Sequence, residues 1–320
     1  MTGSGHMESR PKPPTLKLAQ LGFIFLLGLL LRIWGTDFSL PYLHHPDEGA
    51  VVMPALRVLA TGDCRPFRLD YGSIYIYSIT ALSVPYYLYG YWLGYFKSTA
   101  DIPIFTSFND VCRYPFPKFY LLPRLLTAII GSLSILVVFL LARRITSEQG
   151  ALASSLFLAL EPLHVRNSHF ATTDVPMTFL VLLAINRMLA FQESGKRDDF
   201  LWAGFFCGLA ASTKFTAGLL CLGLVWAHIF RSRTPKDLID RRIILGGVAT
   251  AGAFLLGTPY AMDFSYFLNW LTSNSNYYAN GLGKMEEPSS FLYYCKTLWD
   301  SNALPILTVA IPGVYSLAAK

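Results

Sequence analysis

Charge is what this sequence has least of. Asp, Glu, Lys and Arg make up 14% of its 320 residues, against 53% hydrophobic and 15% aromatic. That balance excludes a disordered chain and argues against an ordinary soluble domain. Cysteine is scarce too. Cys64, Cys112, Cys207, Cys221 and Cys295 form no CxxC pair, which leaves a structural zinc site of that type unsupported. Cys64 and Cys112 fall in one loop and could pair there, free thiols being the favoured reading. There is no Gly-rich phosphate loop and no Rossmann-like unit to cradle a nucleotide. There is also no internal repeat of the kind that symmetric transporters carry.

What the chain does have is apolar runs close to the ~20 residues that cross a bilayer. They cover 18–35, 120–142, 150–163, 176–191, 200–213, 215–230, 243–258 and 301–318. The formal charge of +6 could point to nucleic acid. The basic residues, however, cluster at Arg143-Arg144, Lys196-Arg197 and Arg231 to Arg242, between apolar runs, as cytoplasmic topology signals do. No nucleic-acid partner is therefore expected. Arg10, Lys12 and Lys17 place the N-terminus on that same side. Residues 1–9, MTGSGHMES, read as an expression scar, and 10–320 as one membrane module. No polar tail follows the last apolar run before Lys320, so the module reads as the N-terminal part of a longer protein. The expected fold is all-α and polytopic, with a long outer first loop over 36–118. Within that loop, 74–96 carries eight tyrosines or tryptophans and reads as one or two juxtamembrane helices lying along the membrane.

The chemistry-bearing residues collect on the side opposite the arginines. His44-His45-Pro46-Asp47-Glu48 follows the first apolar run directly. Charged groups at a membrane boundary are costly to desolvate and are kept where they act or where water reaches them. A solvated loop after a helix is the plain alternative. Asn167 to Pro176 brings His169 and Asp174 to the same side. Pro176 suits the first turn of a helix, where its missing N–H costs nothing, and Asp174 could simply cap that helix. Lys214 sits at the outer end of a helix pair, where it either serves function or snorkels to the headgroups. Arg57, Arg65, Arg68 and Arg166 are further cations that could equally be interface anchors. Arg32, late in the first run, reads as snorkelling. His44, His45, Glu48 and His169 are ligand types for a divalent metal (zinc, manganese or magnesium), but no spacing among them is diagnostic, and no cofactor is required.

The order of several short motifs resembles one family. These are HPDE at 45–48, ALRVLATGD at 55–63, YGSIYIY at 71–77, the Arg124 helix ending in Arg143-Arg144, TTDVPMTF at 172–179, GLAASTKFTA at 208–217 and PYAMDFSYF at 259–267. Together they resemble the dolichyl-phosphate-mannose-protein mannosyltransferase-like superfamily, membrane glycosyltransferases of the GT-C fold labelled glycosyltransferase family 39 in bacteria. The resemblance spans 18–318. It implies transfer of a hexosyl or pentosyl unit from a polyprenyl-phosphate carrier to an acceptor on a protein, lipid or glycan, at the extracytoplasmic face of a bacterial or archaeal plasma membrane. The family's acidic residues map onto Asp47, Glu48 and Asp174 as catalytic candidates. Chemistry adds Lys214, Arg166 and Arg57 as candidates to hold the donor phosphate. A transporter or lipid flippase is the competing reading, since it too would show polar groups at membrane depth.

Overall fold

The computed structural model describes residues 14–65, 71–105, 114–231, 240–279 and 296. The expected last span over 301–318, the outer loop beyond 279, the N-terminal nine residues, and Arg10, Lys12, Arg68, Cys112, Arg233, Lys236 and Cys295 lie outside the described residues. The chain divides into two units, Met1–Phe267 and Leu268–Lys320. Described residues of the second are the later turns of its first helix and Lys296.

Every regular element among the described residues is helical. In chain order they are α1 (Pro14–Ile33), α2 (Pro46–Thr61), α3 (Ile74–Trp92), α4 (Lys118–Ile145), α5 (Glu148–Leu160), α6 (Pro162–Asn167), α7 (Asp174–Ser194), α8 (Arg197–Thr213), α9 (Leu220–Arg231), α10 (Arg241–Gly257) and α11 (Phe264–Ala279). A 3-10 turn over Phe215–Leu219 joins α8 to α9. Among the described residues two helices, α4 and α7, are long and apolar enough to cross a membrane. Several expected spans are shorter: α5 has 13 residues and α8 and α10 have 17 each. At 1.5 Å per residue these reach about 20–26 Å, short of a ~30 Å hydrocarbon core.

The long first loop carries helices. Its two helices, α2 and α3, share a core with the start of α4, built from Val51, Val52, Leu56, Tyr75, Ile76, Ile79, Tyr114, Phe119 and Tyr120. Sequence dictates the ends of α2. Pro46 occupies the first turn with Asp47 and Glu48, where a fixed φ and negative charge both suit a helix N-terminus. Gly62, at φ +72°, closes it in the left-handed region that favours glycine. The aromatic stretch forms one helix, α3.

α1 packs on α4 and α5, α4 on α7, α7 on α8 and α8 on α10. The α8–α10 approach needs glycine: a Cβ on Gly208 would stand 2.1 Å from the Thr250 carbonyl oxygen. One end of this bundle is laced by charge. Lys17 pairs with Glu148 and Arg144 with Glu193, while Arg144 Nε donates to Asn186 at 2.7 Å. Arg187 meets Asp199 at 3.2 Å and Arg231 donates to the Gln192 carbonyl at 3.1 Å. Twenty residues up α4 from Arg144, about 30 Å away along the axis, lies Arg124 and the other end.

Candidate active site

Glu48 has no exposed surface, and neither has Arg124. Arg124 grips it in a fork, Nε to Oε1 and Nη2 to Oε2, both at 2.7 Å. The Ala171 backbone N–H donates to Oε1 at 2.9 Å. Arg124 Nη1 donates to the carbonyls of Thr36 and Phe38 at 3.0 and 2.9 Å. One bidentate pair thus fastens the end of α1, the first turn of α2, the start of α4 and the segment before α7. Such planar, bidentate pairing is what guanidinium offers and ammonium does not. Glu48 differs here from the expectation that it acts beside Asp47 or ligates a metal, because both of its oxygens are already taken.

Asp47 precedes Glu48 on α2 and so points about 100° around the helix from it. Its side chain is half-buried, and among the described residues its carboxylate has no hydrogen-bond or ion-pair partner. Its backbone N–H donates to His45 Nδ1 at 3.2 Å, making His45 the N-cap. The His45 ring rests on Phe170, with centroids 4.4 Å apart.

Three residues beyond Ala171, Asp174 opens α7. Its carboxylate makes no cap; the N-cap is Thr173. Instead Asp174 Oδ1 receives Lys214 Nζ at 2.6 Å, in a pair whose side chains are 43% and 28% exposed, open enough to meet a ligand. Lys214 is the C-cap of α8: its backbone is extended and its N–H donates to the Ala210 carbonyl, just before the 3-10 turn. Its ammonium lies 5.7 Å from the centre of the Tyr71 ring. Gly72 makes this contact possible. A Cβ there would stand 2.0 Å from the Ser212 carbonyl oxygen, so the 71–73 turn lies directly on the end of α8. Neither capping by Asp174 nor snorkelling by Lys214 describes what these side chains do.

The other candidates fall elsewhere. Arg166 is exposed on α6. Arg57 lies ten residues along α2 from Asp47, about 15 Å, and donates to the Arg65 carbonyl at 3.1 Å. His44 is exposed. His169 directs its ring nitrogens at the carbonyls of Val165 and Trp34, at 2.8 and 2.9 Å. With His45 Nδ1 and both Glu48 oxygens engaged as well, these four residues do not fit a shared metal. Among the described residues no cluster of three or more His, Cys, Asp or Glu could hold one.

Arg32 does not snorkel. It is fully buried and donates to the carbonyls of Gly28, Ala159 and Leu158 at 2.9, 3.1 and 2.8 Å. Cations suit the open carbonyls at a helix C-terminus, here that of α5. Its Nη2 also meets His164 Nδ1 at 3.0 Å. Burial, then the Arg32 charge, pushes the His164 imidazole down to about 4. The sequence marks the Arg124 helix as a motif but not Arg124 as a buried anchor, and the snorkelling expected of Arg32 is not found. The available signal was the cost of arginine inside an apolar run.

Residues 122–260 match the family model described as dolichyl-phosphate-mannose-protein mannosyltransferase. The archaeal oligosaccharyltransferase AglB from Archaeoglobus fulgidus, solved in complex with an inhibitory peptide and a dolichol-phosphate, superposes with a TM-score of 0.57. It does so at 14% identity, over 94% of this chain and 38% of its own. The chain has the GT-C fold. Among curated relatives, dolichyl-phosphate-mannose-protein mannosyltransferase 1 of Saccharomyces cerevisiae is 26% identical over 55% of this chain and 22% of its own length. An undecaprenyl phosphate-alpha-4-amino-4-deoxy-L-arabinose arabinosyl transferase of Pseudomonas aeruginosa is 28% identical over 46% of this chain and 28% of its own. This GT-C chain thus spans about a quarter of the length of the curated relatives it matches.

Proposed function

We propose that this chain belongs to an enzyme that moves a sugar from a polyprenyl-phosphate carrier to an acceptor hydroxyl, on a protein, lipid or glycan, with Asp47 as general base. One observation carries the reading. Asp47, whose carboxylate has no partner among the described residues, stands on a helix turn anchored by the Glu48–Arg124 fork, and the same buried anchor reaches, through Ala171, the segment that delivers the Asp174–Lys214 pair. The names of the two curated relatives, each a lipid-phosphate-dependent sugar transferase, support the donor class.

The chemistry is a single displacement. As the acceptor oxygen attacks the anomeric carbon, its proton passes to Asp47 and the bond from that carbon to the phosphate oxygen breaks. The electron pair leaves with the phosphate, already a stable anion, so no general acid is needed. What the leaving group needs is a held cation, and Lys214, oriented by Asp174 and Tyr71, offers one. That charge gains value as the phosphate gains negative charge in the transition state. Arg166, exposed on α6, is a second cation for the phosphate; Arg57 is committed to the turn after α2. Displacement with one base inverts the anomeric centre. A double displacement would need a second carboxylate as nucleophile at the same carbon, and Asp174 is tied to Lys214. Glu48 acts through position, holding the turn that carries Asp47.

The arginine-laced end suits the cytoplasm and the acidic end the outer face of a bacterial or archaeal plasma membrane. A lipid carrier presents its phosphate there at headgroup level, with α3 lying along the membrane beside it. The test offers the purified full-length protein polyprenyl-phosphate sugars and nucleotide sugars in parallel. Turnover of the lipid-linked donor supports the reading, and turnover of the nucleotide sugar alone overturns it.

A further inference from the structure

Helices are usually capped by Ser, Thr, Asp or Asn, whose short side chains reach the N2 or N3 amide. At α2 that place is held by a histidine. His45 sits at φ −97° and ψ 117°, extended, and its Nδ1 takes the Asp47 N–H. To accept it, Nδ1 must be bare, which assigns the proton to Nε2. An imidazole also does what the usual caps cannot, because its ring packs.

The partner of that ring is the start of a stack. His45 lies on Phe170 at 4.4 Å with the planes tilted by 47°. Phe170 meets Phe38 edge-on at 5.5 Å. Phe38 in turn lies under the Arg124 guanidinium, 5.0 Å from its centre. The stack therefore begins on the group that grips Glu48 and ends on the residue that caps Asp47. It also passes through Phe170, four residues before Asp174. Asp47 is held from both sides: by the buried fork one residue after it and by the cap two residues before.

We propose that His45 is a positioning residue for Asp47, its Nδ1 fixing the first turn of α2 and its ring tying that turn to the segment that leads to Asp174. The inference rests on the reading of Asp47 as the base. His45 itself touches neither donor nor acceptor in this role, so the consequences fall on kcat and not on donor binding. A base displaced by about 1 Å can lose 10²-fold in rate.

The test is a set of substitutions read by kcat and donor KM separately. An Asn oxygen at position 45 falls where Nδ1 falls, whereas a Gln oxygen lies one carbon further out, at the reach of Nε2. His45→Ala and His45→Gln should lower kcat by about 10- to 100-fold with donor KM within about twofold. His45→Asn should recover most of that loss. A His45→Ala enzyme with wild-type kcat, or His45→Gln matching His45→Asn, would overturn the role. Should the alanine variant not fold, ¹⁵N-histidine NMR of the unsubstituted protein in nanodiscs decides independently of turnover. With His45→Asn used to assign the signal, the Nε2–H tautomer is expected and an Nδ1–H tautomer contradicts the proposal. If Asp47→Asn keeps full activity while the tautomer is found as stated, the base assignment fails and the cap stands.

Discussion

Arg124 and Glu48 lie 76 residues apart in sequence and face each other in a two-point fork, at 2.7 Å on both arms, with no solvent on either side chain. Removing one partner of a buried pair leaves the other charged and unpaired, a loss of about 3–5 kcal/mol. Arg124→Ala should therefore lower the unfolding temperature of the detergent-solubilised protein sharply. Arg124→Lys should keep charge but not the fork, and so recover only part. The double variant Glu48→Gln, Arg124→Met should regain stability over either single change without regaining transfer. A wild-type unfolding temperature in Arg124→Ala would contradict the anchoring role.

Lys214 should matter to the donor more than to the fold, since it and Asp174 are both partly exposed. Exposed pairs contribute about 0–1 kcal/mol to stability. Lys214→Ala should weaken use of the lipid-linked donor, Lys214→Arg should keep part of it, and both should melt close to wild type. The measurement is donor KM and kcat/KM. Undiminished donor affinity in Lys214→Ala would remove this residue from the phosphate site.

His164 should give the fold an acid limit. Burial and Arg32 hold its imidazole at about 4, below the ~6.5 of an unfolded chain. The unfolded state then binds more protons between about pH 4 and 6.5. Stability from the neutral ring is fully present above that window and is lost as pH falls through it. Thermal unfolding followed from pH 7 to pH 5 should show a falling midpoint, and His164→Asn should flatten that slope. A midpoint equally pH-dependent in the variant would assign the effect to other groups.

Cys64 is an exposed free thiol in the turn after α2, at the acidic end of the molecule. An impermeant maleimide should label it in intact cells when the expressed protein is otherwise free of accessible cysteine. Labelling only after permeabilisation, with reductant present, would invert the topology.

The bundle is readable from sequence because apolar runs and their basic flanks are local signals. The run 120–142 becomes Lys118–Ile145, and 176–191 becomes Asp174–Ser194. The site is readable in part. Asp47, Asp174 and Lys214 stand out as polar groups beside apolar runs, but the direct contact between Asp174 and Lys214 spans 40 residues and follows no spacing rule. The partners of Arg124 and Arg32 are hidden for the same reason. What makes a buried arginine tolerable is a set of carbonyls and a carboxylate from distant segments, and no local pattern announces those. α2 is missed as a helix although Pro46, the acids after it and Gly62 punctuate it correctly, because its apolar residues pack on α3 and α4 instead of forming one long run.

The central claim is that Asp47 takes the acceptor proton, and Asp47→Asn tests it most directly. The substitution keeps the shape and removes the proton acceptor, while the Glu48–Arg124 anchor beside it stays intact. With a polyprenyl-phosphate sugar as donor, kcat should fall by at least about 10²-fold, with donor binding and unfolding temperature near wild type. Full transfer activity in Asp47→Asn would contradict the assignment of the base.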